Sequence, residues 1–423
     1  MKKKYDVIIV GSGPAGLGAA FHLVDKGAAS ILMIDKSRIS TGGLRNDCKQ
    51  NYTYPVGFPE NLWTADQATS YLDLVSDHLK PVIEKHTNID LYLKRAQRLG
   101  VSLLEIDQCH VGTDRARLLI EDLTSKLTKQ GVDICLETEA LEIDRDKKHI
   151  TLTGETETIA YTDCILAPGR SGALWLQRIM HNCDVPYTDN VVDIGVRVET
   201  REQHYPIVKD YYDPKFLFPY NVRTFCTNSG AAYVVREKYD QYYSVNGHSF
   251  SKDKKPNGLV NFAMLNTIRL TDPVVSGHQF AAILGQMAMQ LSGGMPMMQR
   301  IGDFRLGKRS KKESFNDDLY DFQATLTSAT PGDIGLAMPA KILRGIWRSM
   351  KLLDTIIPGI LHPSTIMYYP EIKTYGNRPR FIDEHFKVSE NLYMIGDGAG
   401  TSRGITAAWA SGIRAAQGIT GSR

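Results

Sequence analysis

The stretch YDVIIVGSGPAGLGAA, residues 5–20, decides the fold. Val7, Ile8, Ile9 and Val10 form an unbroken β-branched run, which is how a strand buried on both faces of a parallel sheet reads. Gly11-Ser12-Gly13-Pro14-Ala15-Gly16 then turns the chain, and helix formers continue from Leu17 to Val24. Strand, glycine turn and helix make the first half of a βαβ unit. In such a unit Gly11 permits the tight turn, Gly13 lets the backbone approach a pyrophosphate, and Gly16 brings helix close to strand. The phosphates would lie at the helix N-terminus, where unpaired N–H groups and the positive end of the dipole favour anions.

A lone GxGxxG decides little; its context decides more. Ile31-Leu32-Met33-Ile34 reads as the second strand, and Asp35 closes it. A carboxylate at that place accepts hydrogen bonds from an adenosine ribose. The opening therefore predicts a dinucleotide site without saying which dinucleotide.

The rest of the composition narrows the class. A chain of 423 residues is long enough for two or three domains. With 42% hydrophobic and 23% charged residues it reads as an ordinary globular protein. A formal net charge of +3 is too small to suggest a nucleic-acid partner. The MKKK start lacks the apolar run of a signal peptide, and no run approaches the length of a transmembrane helix, so a cytoplasmic location is expected. The six cysteines show neither CxxC nor CxxxxC, and the eleven histidines show no HExxH, so no metal site and no redox-active disulfide pair is predicted.

Residues 41–59 read as loop, and Trp63 to Leu99 as mostly helical, interrupted at Pro81. A helix is predicted over 115–129, strands over 132–135 and 140–143, a hairpin from 150–152 and 158–161, and a buried strand over 164–167. From about Asp193 the texture turns to strand-like alternation, in 194–199, 231–235 and 259–265. Asn246-Gly247, between two short β-prone runs, predicts a hairpin turn. Helices are expected near 279–291 and 340–357. The tail repeats the pattern of the opening, with a strand over 391–395, then Gly396-Asp397-Gly398-Ala399-Gly400, then a helix from Gly404. The predicted class is α/β: a Rossmann-like domain with a parallel sheet in ββα layers, from residues 1–190 and 371–423. An α+β domain with a mainly antiparallel sheet is inserted over 191–370.

The tail resembles the second flavin motif of the glutathione reductase superfamily, of the two-domain FAD-binding type. Gly396-Asp397, Gly400 and Arg403-Gly404-Ile405-Thr406-Ala407-Ala408 carry the likeness. Gly11–Gly16 with Asp35 supplies its first motif. Leu166-Ala167-Pro168-Gly169 is similar to its mid-chain turn, with proline at the usual threonine position. Asp193–Glu199, Arg223–Cys226, Asn246–Ser249 and Gly302-Asp303-Phe304 further resemble landmarks of a bacterial and archaeal family of FAD-dependent dehydrogenases, also described as NAD(P)/FAD-dependent oxidoreductases. That likeness runs over nearly the whole chain. It has departures: Glu371-Ile372-Lys373-Thr374 stands for a Glu-Thr-Arg-Thr-like stretch, Gly-Asp-Gly-Ala-Gly for Gly-Glu-Gly-Ala-Gly, and Asn228-Ser229-Gly230 for a Cys-Pro-Gly-like segment.

The resemblance implies non-covalent FAD. Gly11, Ser12, Gly13, Pro14, Ala15, Gly16 and Asp35 would hold its adenosine diphosphate half, with Lys36 and Arg45 as partners for adenine and diphosphate, and Ala140 beside adenine. Gly43, Leu44 and Arg45 lie in the loop that passes the flavin, and Ala167, Pro168 and Gly169 in the mid-chain turn. Asp397, with Gly396 beside it in the cofactor-binding turn, would accept the ribityl hydroxyls, with Gly404, Ile405 and Thr406 at the helix start facing ring and pyrophosphate. The implied activity is that of an FAD-dependent oxidoreductase, a dehydrogenase or reductase, moving hydride or electrons between a small organic substrate and an external donor or acceptor. No second strand–GxGxxG–helix follows residue 150, so NAD(P)H is expected, if used, as a transient donor, with a small electron-transfer protein as the alternative. A non-redox binding protein on this fold, as in GDP-dissociation inhibitors, is opposed by Asp397 and the intact glycines. An RNA-modifying flavoprotein is opposed by the near-neutral charge.

Catalytic candidates are Lys373, Tyr375, Cys226 and His248, and none is singled out. Lysine is a tunable acid or base when buried, whereas a lone cysteine is more often a small buried hydrophobe and His248 reads as an exposed strand residue. Lys341 to Leu353 is a basic amphipathic helix. It can lie on a membrane or close the inserted domain with its lysines in water, and the second reading is preferred.

Overall fold

The structure is a computed structural model, and it describes residues 2–28, 30–39, 44–154, 157–315 and 322–421. The chain packs as two compact units: residues 1–83, 106–190 and 375–423, and residues 84–105 and 191–374.

The first unit is built on a sheet whose strands run in the order Lys387–Ser389, Leu392–Met394, Ile159–Leu166, Lys4–Val10, Ile31–Ile34 and Asp133–Cys135. From Leu392–Met394 to Asp133–Cys135 every pairing is parallel, with Val10 opposite both Ile34 and Leu166, and Met394 opposite Leu166. Val7, Ile8 and Ile9 are fully buried, as expected of a central parallel strand. Sequence order runs outward from Lys4–Val10 to Ile31–Ile34 on one side, while Ile159–Leu166 occupies the other. The carboxyl end of the first strand is therefore a topological switch point. Ala140–Asp144 pairs with His149–Leu152, which pairs with Ile159–Leu166. The opening helix Pro14–Asp25 and the closing helix Ile405–Thr420 bury nearly all their small residues against each other and the sheet. Their backbones approach so closely that a Cβ on Gly412 would stand 2.0 Å from the Ala15 carbonyl oxygen.

The second unit carries an eight-stranded sheet in the order Thr330–Pro331, Met297–Arg300, Ile366–Thr374, Val192–Arg201, Leu259–Ile268, Val222–Asn228, Lys215–Phe218 and Ser102–Leu104. All its pairings are antiparallel except Met297–Arg300 with Thr330–Pro331. Helices Gly277–Leu291 and Ala340–Ile356 pack their apolar residues into this unit's core. In the second helix Ile342, Ile346, Met350 and Leu353 are buried, while Lys341, Arg344, Arg348 and Lys351 are exposed.

Three expectations are corrected. Residues 84–105 fall in the second unit, because Ser102–Leu104 pairs with Lys215–Leu217 at the edge of its sheet. Residues 371–374 fall there too, since Ile366–Thr374 is one strand whose ladder with Val192–Glu199, after a register shift between Arg197 and Gly195, continues from Glu371 to Thr374. Asn246-Gly247 is not a turn. It lies in the middle of the strand Tyr243–Ser249, whose partner is Ala232–Lys238, with the reversal between Lys238 and Tyr243. Gly247 serves close approach instead: a Cβ there would stand 2.1 Å from Asn261 Oδ1 and 2.5 Å from Arg197 Nη1. The Asn-Gly pair that reads as a hairpin signal is a strand glycine over a buried polar cluster.

Candidate functional site

Three turns converge at the carboxyl ends of three adjacent parallel strands in the first unit. Lys4–Val10 ends in Gly11–Gly16, Ile159–Leu166 in Ala167–Gly169, and Leu392–Met394 in Gly396–Gly400. Gly11 has φ +112°, and a Cβ there would stand 2.1 Å from the Ala167 carbonyl oxygen. A Cβ on Gly398 would stand 2.5 Å from the Gly169 carbonyl oxygen, and one on Gly396 would meet the Ala15 Cβ at 3.0 Å. The Ala167 N–H donates to the Val10 carbonyl at 2.7 Å, which ties the first two turns by a hydrogen bond as well.

Asp35 reaches the first turn directly. The backbone N–H and the Oγ of Ser12 both donate to Asp35 Oδ2, at 2.8 and 2.7 Å, and the Ser37 N–H donates to Oδ1 at 2.8 Å. The carboxylate thus pins the glycine loop and keeps further lone pairs for a ribose. Pro14 occupies the first helical turn, where its missing N–H costs nothing. Gly13 at the N-terminus of the opening helix and Gly404 at that of the closing helix each have no atom within 4 Å of a built Cβ. Both helix starts are open to a ligand, and the first N–H groups of a helix lack intrahelical acceptors.

Asp397 sits in the third turn. It accepts from Ser402 Oγ at 2.9 Å and from the Gly404 N–H at 3.2 Å. Burial pushes its carboxyl above the usual range; the Arg170 charge, these two donors and Arg403 pull the other way. Gly404 is the residue before the closing helix, so Asp397 also steadies that helix start. Ile405 and Thr406 are buried, and Thr406 Oγ1 donates to the Asn51 carbonyl at 2.6 Å.

The residues singled out from the sequence separate as follows. Gly11 to Gly16, Asp35, Ala167 to Gly169, Gly396, Asp397 and Gly404 to Thr406 lie in these turns or the helices they open. Lys36 and Arg45 are exposed, while Leu44 is fully buried. Gly43 lies outside the described residues. Ala140 is buried, and its carbonyl already accepts the Trp175 indole N–H at 2.8 Å. Tyr375 lies in the first unit, with the Arg403 guanidinium 3.7 Å from its ring centre, one residue from Gly404.

The other three catalytic candidates lie in the second unit. Lys373, only 3% exposed, places Nζ 3.1 Å from Glu237 Oε2 and 3.6 Å from Glu371 Oε1. Glu371 in turn takes two bonds from Arg197, at 2.7 and 2.6 Å, with both residues fully buried. Lys373 is a member of a closed charge cluster. Cys226 takes a φ of 48° where the strand register shifts, its sulfur 3.8 Å from Asn228 Nδ2. His248 lies on the strand Tyr243–Ser249, its ring 5.9 Å from that of Tyr233 and 5.4 Å from that of Phe250.

Sequence reasoning missed Gly376, Asn377 and Ser402. A Cβ on Gly376 would stand 2.0 Å from the Gly398 carbonyl oxygen, so the segment rejoining the first unit presses on the third turn. Beside it Asn377 is 3% exposed, and its Nδ2 has no partner among the described residues; nor has the buried Asp189 Oδ1. Two open helix starts and the partnerless buried Asn377 amide beside the third turn fit an extended polar ligand laid across these turns. A single glycine between Tyr375 and Asn377 gave no pattern to find.

Among the described residues no group of side chains could hold a metal ion, and no helix is long and apolar enough to cross a membrane.

Parts of this sequence match known proteins. Residues 5–184 match the family model described as pyridine nucleotide-disulphide oxidoreductase. The chain is 21% identical to an uncharacterized protein of Clostridium beijerinckii over 447 aligned positions, covering 97% of this chain and 80% of the relative. It is 30% identical over 114 positions to an uncharacterized protein of Methanosarcina barkeri, covering 24% of this chain and 29% of that one. Among solved structures it is similar to the L-amino acid deaminase from Proteus vulgaris, with TM-score 0.45 and 12% identity over 100% of this chain and 94% of that one.

Proposed function

We propose that this chain, an FAD-dependent oxidoreductase, passes hydride or electrons between a small organic substrate and an external donor or acceptor. The observation that carries the reading is the meeting of the Gly11, Gly169 and Gly398 turns at the ends of adjacent parallel strands. Bound FAD supplies the hydride and electron chemistry at its ring.

The chain's own residues do the rest. Gly13 and Ala15 at the opening helix start would bind the diphosphate through their backbone N–H groups, and Asp35 would accept the adenosine ribose hydroxyls while Ser12 holds it in place. Asp397 accepts ribityl hydroxyls, kept in orientation by Ser402 and the Gly404 N–H. The N–H groups at the start of the closing helix favour negative charge nearby. Tyr375, fixed against Arg403 beside that helix start, is the catalytic candidate that the first unit offers.

The second unit carries no strand–GxGxxG–helix sequence, so a nicotinamide donor would bind transiently and not in a domain of its own. The test is anaerobic titration of the purified protein with NADH, NADPH and dithionite, followed in the visible spectrum. Bleaching by a nicotinamide that substrate or product competes with supports the transient site. Bleaching by dithionite alone transfers the role to another donor, such as a small electron-transfer protein. A spectrum that none of the three reductants changes overturns the redox reading.

A further inference from the structure

The second unit carries a basic face that the redox reading does not use. On the helix Ala340–Ile356, Lys341, Arg344, Arg348 and Lys351 follow one another at spacings of three and four, so they form a single stripe about 15 Å long at the helical rise. All four are exposed, and among the described residues none of them has a carboxylate partner. The opposite side of the helix is sealed in the core, so the helix cannot turn over to insert its apolar face into a bilayer.

A second basic segment joins the stripe. Residues 305–312 read Arg-Leu-Gly-Lys-Arg-Ser-Lys-Lys. Every residue of it except Ser310 is exposed. Its root is fastened to the helix where Phe304 meets Trp347 edge-on, ring centres 4.9 Å apart. Its far part is fastened to the segment before the helix, where Arg309 donates to the Pro331 carbonyl at 3.3 Å. Two leucines stand out of this charged surface: Leu306, 68% exposed within the basic segment, and Leu336, 72% exposed in the turn that leads to the stripe.

We propose that this face seats the second unit on an anionic lipid surface, with the cations over the headgroups and Leu306 and Leu336 in the interface. Clustered lysines and arginines are drawn to anionic leaflets. A leucine flanked by cations gains burial at the headgroup boundary that water denies it. An acidic protein would answer the charge; the two protruding leucines favour the bilayer.

The test is sedimentation of the full chain with phosphatidylcholine vesicles, with and without phosphatidylserine. Binding should be at least about tenfold stronger with the anionic lipid and fall away as salt approaches 0.5 M, where screening shortens to a few ångströms. Lys341→Glu/Arg344→Glu/Lys351→Glu should abolish it, and Leu306→Ser should weaken it, with unchanged thermal midpoints. If the triple charge reversal unfolds the chain, the triple glutamine variant replaces it. No preference for phosphatidylserine, or wild-type binding by the charge variants, overturns the proposal. So does capture of a soluble acidic protein by this face with vesicles ignored.

Discussion

Gly398 rests against the backbone of Gly169, so close that a Cβ on Gly398 would stand 2.5 Å from the Gly169 carbonyl oxygen. Those residues are far apart in sequence, yet each belongs to a turn that closes a strand of the same parallel ladder. Gly398→Ala should therefore force the third turn off the second. Overpacking of this kind costs about 1–3 kcal/mol, and the expected result is a lower thermal midpoint together with loss of bound FAD. Unchanged FAD content in a purified Gly398→Ala protein would show that the turn can shift freely.

Asp397→Ala should weaken FAD without unfolding the chain. Hydrogen bonds to a charged acceptor contribute roughly 1.5–3 kcal/mol, about ten- to a hundredfold in affinity. Reconstitution of apoprotein with FAD, followed by fluorescence quenching, measures it; an affinity equal to wild type would remove Asp397 from the site.

The same residue has a pH signature. Burial raises the Asp397 carboxyl in the folded protein, so folding favours its protonated form. Its contribution to stability is fully present below the unfolded value near 3.8 and is lost as pH rises through the raised folded value. Relative to Asp397→Asn, which does not titrate, the wild-type apoprotein should gain stability as pH falls through that window. Parallel denaturation curves of the two proteins across it would contradict the assignment.

Much of this was legible because it is local. The β-branched run before Gly11, the Asp35 at the next strand end and the glycines around Asp397 each announce their geometry within a few residues. What was hidden depends on partners distant in sequence. Gly247 reads as half of a hairpin signal, and only the Arg197 and Asn261 side chains beneath it reveal a strand residue that must lack a Cβ. Residues 84–105 carry no mark of their unit until Ser102–Leu104 finds Lys215–Leu217. Lys373 stood out as a tunable base, but its setting is made by Glu371, two residues earlier on the same strand face, and by Glu237, which lies far away in sequence.

That buried cluster yields a stability prediction. Arg197 and Glu371 are both fully buried and doubly bonded. Glu371→Gln leaves the guanidinium and Lys373 without their shared carboxylate and should destabilise the protein by about 3–5 kcal/mol. Arg197→Met/Glu371→Met removes both charges and should recover much of that loss. Urea denaturation of the three proteins decides; a double variant no more stable than Glu371→Gln would mean that the pair is not the source of the cost.

The most direct measurement is the flavin itself. Protein purified after expression with FAD present should be yellow, and heat or acid should release close to one FAD per chain into the supernatant. A colourless protein that cannot be reconstituted with FAD would contradict the account at its centre.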